Sequence, residues 1–227
     1  MKQSVIPAKL RRSAGSAPPL PVEPPAGPDI ADPVERFCRE AEQAQARVRL
    51  RPDPLEALRE AAVSAGTDTI YWQDPAAASA LGIPLAGGEP SAEPSLFYSA
   101  VPGAQDSEAP SAPLEVRRRP YDRRMISQVR LSVATARAGI AETGTVLEST
   151  LPPGGRLLPI LAPHHVVLLP EKEIYPTLGH YLQAWGAESL APGSNLFMTG
   201  PSRTADIEKV LILGVHGPHR LWIFILS

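Results

Sequence analysis

The stretch Pro163-His164-His165-Val166-Val167-Leu168-Leu169-Pro170 decides the fold. A short apolar run bounded by prolines, here residues 165–169, is typical of a buried strand. On both sides of this run, strand patterns alternate with helical patterns along the chain. That alternation predicts an α/β domain with a largely parallel sheet.

The other elements of the carboxyl-terminal half follow from patterns of the same kind. Val129, Leu131 and Val133 alternate with polar residues, which predicts a strand. Apolar residues at helical spacing predict a helix from Ile174 to Trp185. The remaining predictions are strands at 138–140, 145–147 and 221–226, a buried strand at 196–198, and a helix at 204–213.

Two helices are predicted in the N-terminal half from the same cap chemistry. Asp32 and Asp53 can each act as a cap, and each precedes a proline that suits the first helical position. The second helix is expected to end at Gly66. β-branched and aromatic residues then predict a short strand at 69–72.

Residues 1–31 are rich in proline and lack apolar periodicity, which predicts a disordered tail before a single domain at 32–227. Within that domain, residues 82–124 are interpreted as a divergent loop around one strand at 96–98, and a short helix is predicted at 76–81. The loop ends in an arginine run, for which a solvated loop and a contact with an anionic ligand or partner both stay open. Its arginines are Arg117, Arg118, Arg119, Arg123 and Arg124.

Composition and charge exclude several classes of protein. Hydrophobic residues form 43% of the 227, which is enough for a core and excludes full disorder. The net charge of −2 provides no global field for nucleic acid or an anionic membrane. Cys38 is the only cysteine, so an internal disulfide, an iron–sulfur cluster and a Cys-type zinc site are excluded, and a place in a helix core is expected.

The chain has no apolar run near the ~18 residues that a membrane helix needs. Its N-terminus lacks the hydrophobic region of a secretory signal, so a cytoplasmic location is expected. Dinucleotide, P-loop and serine-hydrolase motifs are absent. The five histidines make no metal signature.

The segment 198–208 carries the most chemistry. A predicted strand runs into Gly-Pro-Ser and then into a predicted helix, which would leave backbone N–H groups free at the carboxyl end of a sheet strand. Arg203 adds a planar fork for a carboxylate or phosphate, and Ser202 or Thr204 could cap the helix and also donate to a ligand. The alternative is a capped helix with Arg203 paired to a nearby acid such as Asp206.

Two further segments hold ionisable groups in turns. Glu142 lies between small residues and two threonines, where a general base, a nucleophile or a ligand contact is possible. The alternative is a hairpin whose polar groups satisfy local backbone. His216 lies between two glycines and could shuttle protons or contact a ligand, or simply be satisfied within a turn.

These segments together resemble the lactate-utilisation protein C family, which is the LUD domain family. Three motif segments carry the resemblance over residues 125–227, and Pro163-His164-His165-Val166 is similar to the family's entry into a buried strand. The segments are Gly139-Ile140-Ala141-Glu142-Thr143-Gly144-Thr145 (first, 139–145), Gly200-Pro201-Ser202-Arg203-Thr204-Ala205-Asp206-Ile207-Glu208 (second, 200–208) and Gly214-Val215-His216-Gly217-Pro218 (third, 214–218).

The resemblance implies a three-layer α/β/α sandwich of the sugar-isomerase and CoA-transferase type, preceded by N-terminal helices at 32–66. It also implies a place in a system that oxidises L-lactate to pyruvate. Iron–sulfur clusters are then expected in partner proteins. No cofactor or metal is expected in this chain, which resembles the cluster-free component.

The first hypothesis is therefore a cytoplasmic component of a lactate-oxidation complex, whose motif loops bind a small anion or a group carried by a partner. Glu142 and His216 are the candidates for proton transfer, and Arg203 would hold a carboxylate. The candidate ligand-binding residues are Thr143, Gly144, Thr145, Gly200, Ser202, Arg203, Thr204 and Asp206.

Two alternatives stay open. In a non-catalytic assembly or regulatory subunit, the motifs would be fold-specific turns and the arginine run would contact an acidic partner. The lack of a redox cofactor motif favours this alternative, because electron transfer needs a cofactor. An independent CoA transferase or isomerase, with Glu142 as nucleophile, rests on fold analogy alone.

Overall fold

The computed structural model describes residues 27–72, 115–117, 128–149, 158–185, 195–205, 211–213 and 217–227, with the backbone alone at 115–117, 203–205 and 211–213. The helices are α1 (Pro33–Gln43), α2 (Pro54–Ala65), α3 (Leu158–Leu161) and α4 (Leu178–Trp185). The strands are β1 (Arg47–Leu50), β2 (Thr69–Trp72), β3 (Glu115–Arg117), β4 (Leu131–Thr135), β5 (Ala138–Ile140), β6 (Thr145–Ser149), β7 (His164–Pro170), β8 (Ile174–Tyr175), β9 (Asn195–Met198), β10 (Arg203–Ala205), β11 (Leu211–Leu213) and β12 (Arg220–Leu226).

The central sheet is parallel throughout, in the order β1-β12-β7-β4-β2-β3. The strand predicted from the proline-bounded run is β7, which lies between β12 and β4 in the interior of this sheet. Its residues from His165 to Leu169 are all buried. The prediction of an α/β fold with a parallel sheet is confirmed.

The two faces of the central sheet are covered by different layers. On one face, Leu58 and Ala62 of α2 pack against Val133, Val166 and Trp222. Full burial of side chains such as Leu58 contributes about 1.5–3 kcal/mol each. The other face is covered by α1 and by a second sheet in the order β8-β5-β6-β9.

Both predicted N-terminal caps are confirmed. The carboxylates of Asp32 and Asp53 accept hydrogen bonds from the backbone N–H groups of Glu35 and Glu56, at 2.9 and 2.8 Å. Gly66 ends α2 in the left-handed region at φ +62°, as its position after the last apolar residue predicts. Local chemistry thus defines the ends of both helices.

Strand β1, which lies between these two helices, is an element that the sequence analysis missed. Its four residues alternate polar and apolar, but this pattern is short and only Val48 is buried. It pairs in parallel with β12, the last strand of the chain. The N-terminal helices are therefore held to the domain by a strand of the central sheet.

The predicted helix over 204–213 is wrong. The ends of this range belong to β10 and β11, which pair antiparallel with Thr204 opposite Ile212. Ile207 and Val210 have helical spacing, but a short apolar run cannot by itself distinguish helix from strand, and β-branched residues favour extended backbone. The anion site expected at a helix N-terminus at Thr204 is therefore corrected, because that residue lies in a strand.

Two further predictions are revised. The strand at 196–198 is present as part of β9, but of its residues only Met198 is buried: it lies at one end of the described second sheet, and Phe197 is 49% exposed. The helix expected from Ile174 begins at Leu178 instead, because Ile174 lies in β8 and Pro176 interrupts the pattern.

Some predictions lie outside the described residues. These are the tail at 1–26, the helix at 76–81, the strand at 96–98 and most of the loop at 82–124, of which only β3 is described. Gly27 at the end of the predicted tail donates its backbone N–H to Thr177 Oγ1 at 3.3 Å. Among the described helices, none is long and apolar enough to cross a membrane.

Candidate functional site

The first motif segment meets Thr199, the residue directly before the second motif segment, through a chain of threonine hydroxyls. Thr145 Oγ1 lies 2.6 Å from Thr143 Oγ1 and 2.7 Å from Thr199 Oγ1. Thr145 is buried at the start of β6, whereas Thr143 and Thr199 are exposed. A buried hydroxyl is thus connected to solvent through two others, and each can donate or accept a hydrogen bond.

The second and third motif segments meet through backbone. The N–H of Ser202 donates to the carbonyl of Pro218 at 2.9 Å. Gly217 lies so close that a Cβ at this position would be 3.0 Å from Ser202 Cβ. All three motif segments are therefore joined at one place, which we call the motif cluster.

Two glycines of the motif cluster allow close packing against α1 and the turn after it. Gly144 and Gly200 have φ values of +63° and +77°, in the left-handed region that favours glycine. A Cβ at Gly144 would lie 2.2 Å from the backbone nitrogen of Ala41, and one at Gly200 would lie 2.0 Å from the carbonyl oxygen of Ala44. These glycines contact the carbonyl end of a helix, which is the end that disfavours anions.

The motif cluster lies at the amino-terminal edge of the central sheet. Pro218 is two residues before β12, and Ala44 is three residues before β1. The segment from Thr199 follows the carboxyl end of a sheet strand, as expected from the sequence. That strand is β9, which belongs to the second sheet and pairs antiparallel with β6, and it is not a strand of the parallel central sheet.

The structure describes the remaining predicted residues to different extents. Glu142 is exposed at the turn between β5 and β6, where its backbone N–H donates to the carbonyl of Pro176 at 3.0 Å. Arg203 and Thr204 are described as backbone of β10. Two candidates lie outside the described residues, Asp206 and His216.

A buried polar network was missed by the sequence analysis. His165 Nδ1 lies 2.7 Å from Ser132 Oγ, and His165 Nε2 lies 2.7 Å from Glu148 Oε1. All three residues are 0% exposed. Ser132 and His165 are paired on β4 and β7, and Glu148 reaches them from β6 in the second sheet. The available signal was a polar residue inside each of three largely apolar strands.

The protonation of this network is constrained by its partners. Ser132 Oγ also lies 3.2 Å from the carbonyl oxygen of Leu158, which can only accept. If Ser132 donates to that carbonyl, His165 must donate through Nδ1; if it donates to His165, the proton of the imidazole faces Glu148. Glu148 Oε2 has no hydrogen-bond partner among the residues that the structure describes. Because no member reaches solvent, the network is a buried polar link between the two sheets.

Metal ligands do not gather in the part of the chain that the structure describes. No group of three or more His, Cys, Asp or Glu side chains there could hold a metal ion. Cys38 is half-buried on α1 and packs against the core. Burial, followed by the negative charge of Glu42, raises the pKa of its thiol.

Comparison with known sequences identifies relatives of the carboxyl-terminal half. The family model described as the LUD domain matches residues 102–226. The protein named lactate utilization protein C of Exiguobacterium sp. is 32% identical over 95 residues, which are 40% of this chain and 41% of that protein. The protein of the same name from Deinococcus radiodurans is 36% identical over 90 residues, which are 39% of this chain and 42% of that protein.

The alignments thus span about two fifths of the length of these curated relatives. Comparison of folds finds a crystal structure described as a DUF162 family protein from Deinococcus radiodurans, with a TM-score of 0.55. It covers 88% of this chain and 100% of the other, at 16% identity. At that identity the likeness supports the fold alone.

Proposed function

Because this chain belongs to the LUD domain family, we propose that it works in lactate utilisation as the cluster-free component of a system that oxidises L-lactate to pyruvate. The oxidation releases electrons and therefore needs a redox group. In this proposal the redox groups are iron–sulfur clusters carried by partner proteins. This chain binds a small carboxylate, or a partner-borne group, at the motif cluster.

The observation that supports the proposal is the junction of the three motif segments. Thr145 and Thr199 are 54 residues apart in the chain, yet their hydroxyl oxygens are 2.7 Å apart. Ser202 and Pro218 are joined by a backbone hydrogen bond of 2.9 Å. Segments that carry a family's shared residues and gather in space are a reasonable place to seek that family's ligand site.

The ligand chemistry follows from the groups that the segments bring. Thr143 and Thr199 offer exposed hydroxyls, which suit the hydroxyl and carboxylate oxygens of a 2-hydroxy acid. Arg203 is proposed to hold the carboxylate through a bidentate contact. Glu142 and His216 are the proposed groups for moving the proton of the substrate hydroxyl.

Calorimetric titration of L-lactate into the purified chain tests the ligand. Wild type is expected to bind, and Thr145→Val is expected to bind about tenfold more weakly, because it removes the central hydroxyl that holds the hydroxyls of Thr143 and Thr199 in position. Thr69→Val on β2 is the matched control and should bind as wild type does. Equal binding of lactate by Thr145→Val and Thr69→Val would show that the threonine hydroxyls do not contribute to the site.

The partner proteins are tested by affinity purification of the tagged chain from lactate-grown cells, with wild type beside Arg203→Ala. Lactate-dependent dye reduction is then assayed on each eluate. Co-purified cluster-bearing proteins and activity in the wild-type eluate alone would support the proposal and a role for Arg203. A chain that elutes alone and inactive would contradict the place of this protein in such a complex.

A second candidate function is favoured by the exposure of Glu142. A carboxylate in solvent has neither the desolvation nor the fixed partner that prepares a nucleophile or base. A non-catalytic assembly subunit needs no prepared carboxylate, so an exposed Glu142 is compatible with that function. Glu142→Gln distinguishes the two functions: unchanged lactate-dependent dye reduction favours assembly, and loss of it with the complex intact favours catalysis. A thermal-shift screen with acyl-CoA and sugar phosphates tests the independent CoA-transferase or isomerase alternative, which predicts binding of one of them.

A further inference from the structure

Positive charge collects at the amino-terminal edge of the central sheet. Five side chains form this group, which we call the basic row: Arg47, Arg130, His164, His219 and Arg220. Arg47 begins β1, Arg220 begins β12, His164 begins β7, and Arg130 directly precedes β4. These four strands are adjacent in the sheet, so the row follows its edge from strand to strand.

The register of the sheet brings Arg220, His164 and Arg130 nearly level, and Arg47 lies opposite Trp222, two residues further into the sheet. Arg220 lies opposite His164, and the backbone N–H of His164 donates to the carbonyl of Arg130 at 3.1 Å. Neighbouring strands are about 4.8 Å apart, so four strands extend the row over roughly 14 Å. A lactate ion is much smaller than this span.

The arginines of the row are held in place by contacts that leave most of their donors free. Arg47 lies over the ring of Trp222, with 4.8 Å from its guanidinium carbon to the ring centroid. Arg130 Nε donates to the carbonyl of Ala65, and Arg220 Nη1 donates to Ser64 Oγ. Ordered side chains lose little entropy when a partner binds, so the row is prepared for binding.

The end of α2 accounts for only part of this charge. Cations near the carbonyl end of a helix are stabilised by its dipole, which explains the positions of Arg130 and Arg220 beside Ser64 and Ala65. It does not explain Arg47, which contacts an indole instead. The contacts with the end of α2 also leave other N–H groups of Arg130 and Arg220 over, since each guanidinium has five and donates only one in these contacts.

The row lacks the carboxylate partners that neighbouring arginines have. Further along β1 and directly after it, towards the carboxyl-terminal edge of the sheet, Arg49 is paired with Glu60 at 2.7 Å and Arg51 with Glu171 at 2.6 Å. Within the described ranges, no acid lies within salt-bridge distance of Arg47, Arg130 or Arg220. The row therefore keeps its positive charge in a chain whose net charge is −2.

The positive charge of the row contributes to a low pKa for its member His164. Burial, followed by the positive charges of Arg220, Arg130, His219 and Arg47, lowers the pKa of His164 to about 4. At neutral pH His164 is therefore uncharged. Its Nδ1 is buried without a hydrogen-bond partner. Arg47, Arg130 and Arg220 keep their positive charge at that pH.

We propose that the basic row is a docking surface for an acidic segment of a partner protein. Carboxylates spaced along an extended segment match guanidinium groups spaced along the edge of a sheet, and each arginine can bind one of them through its free donors. The row lies on the α2 side of the edge, and the motif cluster lies on the α1 side of the same edge. A partner docked here would sit beside the motif cluster.

An acidic protein segment fits better than the other anions. Nucleic acid is attracted by the field of a whole basic domain, and this chain has none. A single phosphate or lactate would engage one arginine and leave the others unused. The surface is separate from the ligand proposed above, so either inference can fail without the other.

The test is binding of a fluorescent octaglutamate peptide to the full chain, followed by anisotropy at low and at physiological salt. Arg47→Gln/Arg220→Gln is expected to lower the affinity about tenfold, because it removes two unpaired cations. The matched control is Arg49→Gln/Arg51→Gln, which changes the net charge by the same amount but removes paired arginines. Arg47→Lys/Arg220→Lys keeps the charge and should restore most of the binding.

Three results would overturn the proposal. The first is equal loss in the two glutamine double variants, which would mean that only net charge matters. The second is no measurable binding of octaglutamate to the wild-type chain. The third is tighter binding of a short DNA duplex, lost in the same variants, which would make nucleic acid the occupant. Circular dichroism of each variant establishes that the fold is retained, and the lysine variant separates lost charge from lost packing.

Discussion

His165 Nε2 lies 2.7 Å from Glu148 Oε1 in a region with no exposure to solvent, and this contact joins the central sheet to the second sheet. Ser132 completes the link on the other side of the imidazole ring. Burying such groups is costly unless each has a partner, so the three side chains depend on one another. The surrounding layer is otherwise apolar, which makes this link a determinant of how the two sheets align.

Removal of Glu148 is expected to destabilise the fold strongly. Glu148→Ala leaves His165 Nε2 buried without its hydrogen-bond partner, and a buried polar group left without its partner costs about 1–3 kcal/mol. The free energy of unfolding in urea, followed by circular dichroism, measures the effect. Glu142→Ala makes the same change at an exposed site and should cost less than about 0.5 kcal/mol. Similar losses in both variants would contradict the importance of the buried link.

The motif glycines are expected to act through packing. Gly144→Ala and Gly200→Ala would place a Cβ against the backbone of α1 and the turn after it, at 2.2 and 2.0 Å, where no side chain can move aside. Gly66→Ala is the matched control, because Gly66 has a similar φ of +62° but its nearest neighbour would be 3.6 Å away.

Thermal unfolding of these variants distinguishes the backbone strain of a non-glycine residue at positive φ from the steric overlap of its Cβ with α1. Gly66→Ala should cost only the conformational strain of about 1 kcal/mol. Each motif variant should cost at least about 1–3 kcal/mol more, because overpacking against backbone forces α1 to shift. If all three variants unfold at the same temperature, the close approach of α1 is unimportant to stability.

His164 is expected to titrate far below an ordinary histidine. Its pKa is lowered from 6.5 to about 4, first by burial and then by the positive charge of Arg220 and its neighbours. The unfolded chain takes up this proton near pH 6.5 and the folded chain only near pH 4. Stability attributable to this group therefore falls as the pH falls through that window and changes no further below it.

Proton NMR of the His164 ring measures this titration directly. Arg220→Gln should raise the midpoint towards 6.5, since it removes a nearby positive charge. Arg49→Gln is the control and should leave the midpoint unchanged, because the charge of Arg49 is paired with Glu60. A wild-type midpoint near 6.5 would show that neither burial nor the basic row acts on His164.

Cys38 is expected to react slowly. Burial, followed by the negative charge of Glu42, raises the pKa of its thiol from 9.0, so less of the reactive thiolate forms at neutral pH. Alkylation by iodoacetamide, followed by mass spectrometry, should be at least about tenfold slower than in the urea-unfolded chain. Glu42→Gln should increase the rate slightly. Alkylation as fast as in the unfolded chain would place Cys38 in an accessible site.

Predictability from sequence differed sharply between parts of this chain. The caps at Asp32 and Asp53 and the left-handed end of α2 at Gly66 were found because each depends on chemistry within a few residues. The hairpin of β5 and β6 was found for the same reason. By contrast, Arg203 and its neighbours were assigned to a helix, because the apolar spacing of 204–213 does not reveal the antiparallel partner of β10.

In the candidate site, too, the features that depend on nearby residues were predictable and those that depend on distant residues were not. Glycine and threonine in the motif segments indicated tight turns, but not that Gly200 lies against Ala44. Ser132, His165 and Glu148 come from three strands, and no pattern along the chain relates them. The basic row was equally invisible, because its members become neighbours only through the strand order.

The sequence by itself determined the α/β class, the capped helices, the buried strand at the centre of the sheet and the resemblance carried by the three motif segments. These depend on local periodicity, on backbone preferences and on residues that stand near one another in the chain. Only the tertiary structure decided that the motif segments meet at the amino-terminal edge, that Glu148 reaches His165, and that the arginines of the basic row align. Strand order and register depend on the packing of the whole core, and the free energy of that packing is shared among residues far apart in the chain.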